Sequence, residues 1–275
     1  MSQISFITAE KILVMFLFIA IGFYMRKSKS LPEETAKTLS RLAANLFLPA
    51  LIFKNLSENL RFETIDTKLT LLTAGGLFLV LSLLTAWGFA KIFAKEKREF
   101  RDYSYIFAFS NYAYFGYPII ESVFGSEMLS DTIIFAIPFT ITIFTCGFYL
   151  LSSENNKLTV SEILKLLLTP VVFAVVLGII CGLFKISIPN FIKSTASSAS
   201  VCMNPISMIL TGFVLAPISI KKLLGKPILY IVSAVRLVII PIIFILMLPF
   251  FGFRGNTFLI PIIISSMPVG MNVVI

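Results

Sequence analysis

Two interrupted apolar stretches decide the fold of this chain: SNYAYFGYP at residues 110–118 and SSMPVGMN at residues 265–272. A helix needs about 20 predominantly apolar residues to cross a bilayer. Each stretch places polar residues, glycine and proline inside a segment that is otherwise apolar enough to do so. Backbone groups that face lipid cannot stay unpaired, so such interruptions survive only where they are enclosed by protein or line a cavity. Interruptions at matching positions in two halves of a chain indicate a transporter binding site. We therefore predict that the two stretches meet inside the membrane.

The composition is typical of an integral membrane protein. Of the 275 residues, 57% are hydrophobic and 13% are charged, and the mean hydropathy is +0.96. A soluble domain carries about 25% charged residues. The net charge of +9 resides in short loops, which favours contacts with anionic membrane lipids over nucleic-acid binding. The first nine residues carry no positive charge and Arg26 and Lys27 follow the first apolar run, a pattern typical of a retained span rather than a signal peptide.

Residue types that several enzyme classes require are missing. The chain has no histidine, which excludes HExxH metalloproteases and Ser-His hydrolases. We expect the three aspartates, Asp66, Asp102 and Asp131, at span edges or in loops, which argues against an intramembrane aspartyl dyad. A glycine-rich phosphate loop is absent from the sequence, and the three cysteines are expected to pack as small apolar residues. We predict no enzymatic activity, no cofactor and no metal site.

Nine membrane spans are predicted, joined by short connections. They cover residues 7–25, 36–56, 69–94, 103–124, 132–151, 164–184, 194–217, 227–251 and 258–275. The loops after odd-numbered spans, counted with the adjoining span ends, carry fifteen Lys and Arg residues, and those after even-numbered spans carry six. The positive-inside rule then predicts a multi-pass inner-membrane protein whose N-terminus lies outside.

A weak internal repeat divides the chain into two halves. Residues 35–40 (TAKTLS) align with residues 195–200 (TASSAS), and the same offset brings broken span 4 near broken span 9. Because five spans separate the copies, the second must be inverted in the membrane. We predict an all-α membrane protein of two inverted repeats, residues 1–151 and 152–275, with crossed broken helices. The second repeat has four spans, so we expect the chain to lack part of span 9 and a tenth span.

Motifs along nearly the whole chain resemble those of the auxin efflux carrier family, which includes plant PIN auxin exporters and bacterial malate and malonate permeases. Residues 45–53 (NLFLPALIF) resemble the span 2 pattern of the family, and Asn111 with residues 116–118 (GYP) resembles its span 4 pattern. Ser110 and Ala113 depart from that pattern, which has proline or glycine at the first position and often glycine at the second. Further matching residues lie in spans 6 to 9: Pro170, Gly178, Gly212, Pro217, Arg236, Leu237, Pro241, Met267 and Pro268.

The resemblance implies a fold of ten spans in two inverted repeats, similar to bile-acid symporters and sodium/proton antiporters. It implies a scaffold domain, a transport domain in which broken spans 4 and 9 cross, and elevator-type alternating access. The implied substrate is a small organic anion, a mono- or dicarboxylate or an auxin-like indole acid. Asn111 matches a position that the family uses for carboxylate contact. Coupling to H⁺ or Na⁺ and assembly as a homodimer stay open.

The predicted anion site consists of helix N-termini exposed at the two breaks, whose N–H groups carry partial positive charge. Asn111 and Asn272 are expected to donate side-chain hydrogen bonds, and Gly116 and Gly270 to permit close backbone approach. Three tyrosines are expected to form an aromatic wall, with Tyr114 and Tyr117 on one helix face. The predicted substrate-binding residues are Asn45, Pro49, Asn111, Tyr112, Gly116, Tyr117, Pro118, Pro268, Val269, Gly270 and Asn272.

Other residues within the spans keep two interpretations. Arg236 either attracts the anion or braces span 8 against carbonyls or Glu121. Glu121 either couples protons or cations or sits in an aqueous vestibule. Asn45 and Pro49 either flank the site or kink span 2 for packing.

Two alternative functions also stay open. A sodium-coupled symporter of the bile-acid type would need clustered oxygen ligands for Na⁺, and Glu121 is the one acid within a broken span. A non-transporting scaffold or sensor would tolerate loss of the Asn111 amide.

The charge pattern generates a prediction about topology. A reporter fused near Lys97 should be cytoplasmic, and one fused near Ser126 should be external, because the basic loops stay inside. Alkaline phosphatase and green fluorescent protein fusions measure the two sides independently. The opposite pattern would reverse the predicted orientation.

Overall fold

The computed structural model describes residues 2–143, 168–219 and 225–270, with side chains from Ala9 onward. Within these ranges the chain is helical and has no β-strand longer than an isolated bridge. The helices before the first gap are α1 (Ser2–Lys27), α2 (Thr35–Leu42), α3 (Leu48–Asn59), α4 (Ile65–Phe93), α5 (Lys97–Ala108), α6 (Tyr117–Phe124), α7 (Ser126–Phe135) and α8 (Ile137–Thr142). The later helices are α9 (Pro170–Leu183), α10 (Asn190–Leu215), α11 (Pro227–Ala234), α12 (Ile240–Met247) and α13 (Asn256–Ser265).

In the part of the chain that the structure describes, three helical segments are long and apolar enough to cross a bilayer: Phe62–Phe93, Asn190–Leu215 and Pro227–Phe251. The shorter helices α9 and α13 are also apolar. Large apolar side chains such as Phe191 and Leu246 are well exposed, as a lipid-facing surface requires. The predicted all-α class is confirmed, and the segments correspond to predicted spans 3, 7 and 8.

Three complete single turns of π-helix interrupt the α-helices of the described ranges, at Ala43–Phe47, Tyr112–Gly116 and Val235–Ile239. Each turn ends two residues before a proline, as at Phe47 before Pro49. A proline inside an α-helix has no N–H to donate, and its ring clashes with the carbonyl four residues earlier. Widening the preceding turn to bonds between residues five apart relieves both problems, so the helix continues through the proline.

Helix packing divides the described helices into two groups. In the first group, α1 packs along α10, α9 packs along α3, and α3 also contacts α10. In the second group, α4 contacts α5, α7, α8 and α13, and α12 contacts α13. Helix α6 joins the second group through its contact with α7, and the groups meet where α3 contacts α7 and where α1 contacts α6.

Glycines set the closest helix contacts. A Cβ atom at Gly212 of α10 would lie 1.8 Å from the Ile19 carbonyl oxygen of α1. A Cβ atom at Gly75 of α4 would lie 2.0 Å from the Phe135 carbonyl oxygen of α7. Small residues of this kind let helix backbones touch where lipid provides no hydrophobic driving force.

Gly75 and its neighbour Gly76 provide a matched test of this packing. We expect Gly75→Ala to lower the thermal unfolding temperature in detergent, because the added methyl group collides with the backbone of α7. A Cβ atom at Gly76 would meet no atom within 4 Å. Gly76→Ala should therefore leave stability unchanged or raise it by up to about 1 kcal/mol through helix propensity. Equal effects of the two variants would contradict the packing.

Candidate functional site

The chain leaves helical geometry just before Asn111. Helix α5 ends at Ala108, Phe109 is extended with φ −110° and ψ 120°, and the helix resumes with the π turn Tyr112–Gly116. The backbone interruption therefore precedes the Gly-Tyr-Pro motif. Pro118 lies in the first turn of α6, where the preceding π turn accommodates it.

The two interrupted stretches pair through their main chains. The Asn111 N–H donates to the Pro268 carbonyl at 2.7 Å, and the Gly270 N–H donates to the Phe109 carbonyl at 3.4 Å. An isolated antiparallel bridge lies between these two bonds. Segments 159 residues apart along the chain thus satisfy each other's backbone groups, as the removal of such groups from water requires.

Side chains of neighbouring helices cap the two helices that end at this pairing. Ser82 Oγ of α4 donates to the Ala108 carbonyl at the end of α5, at 3.0 Å. Arg236 Nη1 donates to the Ser265 carbonyl at the end of α13, at 2.9 Å. Both donors are buried. Of the partners considered for Arg236, the structure gives it a backbone carbonyl, which carries partial negative charge at a helix C-terminus.

A cavity of about 120 Å³ opens beside the paired stretches, and we call it the crossing cavity. One wall consists of residues 110–114 and Tyr117, at the start of the helix that follows the interruption. The opposite wall consists of apolar side chains, Leu48 and Ile52 from α3 and Val171 from α9. The cavity therefore lies between the two helix groups.

The helix N-terminus at Asn111 faces this cavity. The N–H groups of Phe115 and Gly116 both bond the Asn111 carbonyl. The N–H groups of residues 112–114 therefore have no acceptor further back in that helix. The Asn111 side chain is 5% exposed and makes no side-chain hydrogen bond within the described residues. This arrangement offers N–H donors and partial positive charge to an anion.

Three tyrosines form a polar and aromatic lining. The Tyr112 hydroxyl lies 3.0 Å from Thr140 Oγ1, and Tyr114 is buried. The ring contact is between Tyr112 and Tyr117, with centroids 5.7 Å apart. A regular helix would bring together residues three or four apart, whereas the π turn aligns residues five apart. Tyr114 and Tyr117 both line the cavity as well.

Some of the predicted binding residues line the cavity and others do not. Lining residues are Asn111, Tyr112, Tyr117 and Gly270. Gly116 and Pro118 are buried in the helix outside the lining. Pro268 is exposed and contributes its carbonyl, whereas Val269 is half-buried in the bridge to Ser110.

The remaining predicted residues lie away from the cavity or outside the residues that the structure describes. Asn45 is exposed on its π turn, and Pro49 is half-buried without lining the cavity. Asn272 lies outside the described residues. Glu121, in α6, is half-buried.

The expected close backbone approach at Gly116 is wrong. A Cβ atom there would meet side-chain atoms at 3.5 Å or more, which is ordinary contact. The glycines that permit close approach lie instead at helix contacts such as Gly212.

Sequence reasoning missed several lining residues, including Tyr105, Ser110, Thr140 and Val171. Thr140 carried a signal, because it is a hydroxyl two residues after Pro138 within an otherwise apolar span. Val171 could not be identified from the sequence, since nothing distinguishes one valine from the others in an apolar helix.

The sequence matches the family described as Membrane transport protein over residues 7–275. The chain belongs to this family. The resemblance to auxin efflux carriers that the motifs predicted is thereby confirmed, and the protein is a transporter rather than an enzyme.

Similar proteins occur in archaea and bacteria. An uncharacterized transporter of Methanothermobacter thermautotrophicus is 27% identical over 96% of this chain and 86% of its own length. The uncharacterized transporter YfdV of Escherichia coli K12 is 22% identical over 74% of this chain and 68% of its own length. The uncharacterized transporter MJ1031 of Methanocaldococcus jannaschii is 23% identical over 78% of this chain and 71% of its own length.

The transporter also contains a buried ion pair that the sequence did not predict. Lys68 Nζ of α4 donates to Asp131 Oδ1 of α7, and Asn256 Nδ2 of α13 donates to Asp131 Oδ2 at 2.6 Å. Lys68 and Asp131 are 7% and 5% exposed. Asp131 lies in helix α7 rather than in a loop, and its partners let it be buried.

Removing one partner of this ion pair should destabilise the protein strongly. We expect Lys68→Met to lower the free energy of unfolding by about 3–5 kcal/mol, because the Asp131 carboxylate is left buried and unpaired. Denaturant unfolding in detergent measures the change. The same substitution at exposed Lys97 is the control and should have little effect.

The double variant Lys68→Met with Asp131→Leu should recover much of the loss, since it removes both buried charges. A Lys68→Met protein as stable as the Lys97→Met control would contradict the burial of the pair.

Proposed function

We propose that this protein is a secondary transporter of small organic anions whose carboxylate binds at the helix N-terminus beside Asn111. The observation that carries the proposal is a cavity lined by the residues of that N-terminus and by the buried Asn111, whose amide makes no side-chain hydrogen bond within the described residues. A carboxylate placed there would receive backbone and amide hydrogen bonds and the favourable end of the helix dipole. The proposed setting is an inner membrane with the N-terminus outside.

The residues around the cavity support a small, partly apolar substrate. Its described lining contains no charged side chain, so the positive potential would come from N–H groups and from the Asn111 amide. Leu48, Ile52 and Val171 would contact the hydrocarbon part of the acid. A volume of about 120 Å³ favours short mono- and dicarboxylates over indole acids, because sites for drug-sized ligands run from about 300 Å³ upward.

Helix packing supports an elevator-type mechanism. The crossing cavity lies between the group of α1, α3, α9 and α10 and the group of α4, α5, α6, α7, α8, α12 and α13. Ser82 and Arg236, which cap the helix ends at the interruption, belong to the same group as those ends. The second group would therefore carry the bound anion as one unit while it slides along the first.

The two caps also agree with an inverted repeat. In the first half, a side chain of predicted span 3 caps the first part of span 4. In the second half, a side chain of span 8 caps the first part of span 9. The repeat pairs spans 3 and 8 and spans 4 and 9, so both halves would stabilise their broken helix by the same relation.

A thermal-shift screen on the purified protein tests this function. Carboxylates and indole acids would be added with and without Na⁺ and across a range of pH. We expect a short carboxylate to raise the unfolding temperature in the wild type. Asn111→Ala should weaken its binding about tenfold to a hundredfold, since hydrogen bonds to charged groups contribute about 1.5–3 kcal/mol.

Asn45→Ala is the matched control, because Asn45 is an exposed asparagine outside the cavity. It should bind the acid as the wild type does. Uptake of the identified acid into proteoliposomes would then test transport. Stabilisation that strictly requires Na⁺ would favour the sodium-coupled symporter. If no acid raises the unfolding temperature and the Asn111→Ala protein behaves as the wild type does, a scaffold or sensor would be favoured.

A further inference from the structure

A second cavity, of about 650 Å³, lies between the end of α3 and the connection from α9 to α10. Its polar lining consists of Lys54, Ser57, Glu58 and Arg61 on one side and Ser187, Asn190 and Lys193 on the other. We propose that this groove, the α3–α10 groove, binds an oxyanion: the carboxylate of a soluble organic acid or the phosphate of a lipid headgroup. This second site goes beyond the proposed function and does not require it.

The charges in the groove favour an anion. Three cationic side chains face one carboxylate, and Lys193 Nζ lies 3.7 Å from Glu58 Oε1. That pair leaves Lys54 and Arg61 without a carboxylate partner in the lining. Arg61 lies within electrostatic range of Glu63, which is outside the lining. Lys54 also lies within electrostatic range of Glu121, but it makes no ion pair within the described residues.

Arg61 is held in a fixed position at the rim of the groove. Its Nη1 donates to the Ser57 carbonyl at 3.3 Å and to the Leu60 carbonyl at 2.8 Å. These bonds cap the end of α3. A guanidinium has five N–H donors in a planar fork, so bonds through one nitrogen leave Nη2 and Nε for a ligand.

The backbone of α10 adds donors to the same groove. The first bonds of this helix run from the N–H groups of Ile192 and Lys193 to the Pro189 carbonyl. The N–H groups of Asn190 and Phe191 precede them in the first turn, and Asn190 lines the groove. The helix has 26 residues, and the positive end of its dipole therefore lies beside the cationic side chains.

The groove and the crossing cavity share helix α3 but use different residues of it. Leu48 and Ile52 line the crossing cavity, whereas Lys54, Ser57 and Arg61 line the groove. At a rise of about 1.5 Å per residue, the neighbouring lining residues Ile52 and Lys54 lie roughly 3 Å apart along the axis, so the groove continues directly from the cavity. The positive charge of the groove would raise the local concentration of anions beside the crossing cavity.

The test uses the full chain purified in detergent and three probes: malonate, inorganic phosphate and phosphatidylglycerol. Affinity is measured by calorimetry, and stabilisation is measured as the shift of the unfolding temperature. We expect Lys54→Gln to weaken binding of the effective probe about tenfold, the effect of losing a hydrogen bond to a charged group. Glu58→Gln should strengthen binding, because it removes the one carboxylate of the lining. The Lys54 side chain does not cap a helix, so we expect Lys54→Gln to fold normally, and a loss of affinity will then report on binding.

The control is Lys185→Gln, a lysine of the same α9–α10 connection that pairs with Glu63 outside the groove lining. It should bind every probe as the wild type does. Binding of malonate or phosphate identifies a soluble ligand, whereas binding of phosphatidylglycerol alone identifies a lipid headgroup. Asn111→Ala separates this proposal from the transport proposal, because it should leave groove binding intact. Equal affinities of wild type, Lys54→Gln and Glu58→Gln for all three probes would overturn the groove, as would an equal loss in Lys185→Gln.

Discussion

The need to pair main-chain groups inside a bilayer governs this structure. Each unsatisfied N–H or carbonyl in hydrocarbon costs several kcal/mol, and two interrupted helices expose many of them at once. Pairing between residues 109–111 and 268–270 satisfies part of this demand. Ser82 and Arg236 donate hydrogen bonds to carbonyl groups at the ends of the two helices. The N–H groups that keep no helical acceptor, at residues 112–114, face the crossing cavity. The same constraint thus stabilises the interruption and leaves donors where an anion can use them.

The general position of the site could be predicted from the sequence. Polar residues, glycine and proline inside two apolar runs are rarely compatible with lipid, so an enclosed meeting point was the physical expectation. Asn111 and Gly270 do line one cavity. The exact break could not be predicted, because polar residues, glycine and proline are spread over the whole of residues 110–118. The π turn before Pro118 absorbs its steric demand, and the backbone departs from the helix at Phe109 instead.

Contacts between side chains that are far apart in the sequence could not be predicted from local sequence patterns. Asp131 looked like a residue of a span edge because a lone carboxylate is expensive to bury. Its burial depends on Lys68, 63 residues earlier, and on Asn256, 125 residues later. Arg236 raised two interpretations from sequence for the same reason, since its acceptor is a main-chain carbonyl that no motif encodes. Patterns identify which residues are unusual, whereas packing decides which of them meet.

The Lys68–Asp131 pair has a consequence for biosynthesis. Lysine and carboxylate both belong to the first 131 residues, whereas Asn256 is translated long afterwards. Helices α4 and α7 can therefore neutralise each other's charges while the ribosome is still producing the second half. Because the two charges cancel, the early segment can settle in the membrane without an isolated ion. The Asn256 amide is translated last, so its hydrogen bond to Asp131 can form only after α13 has been made.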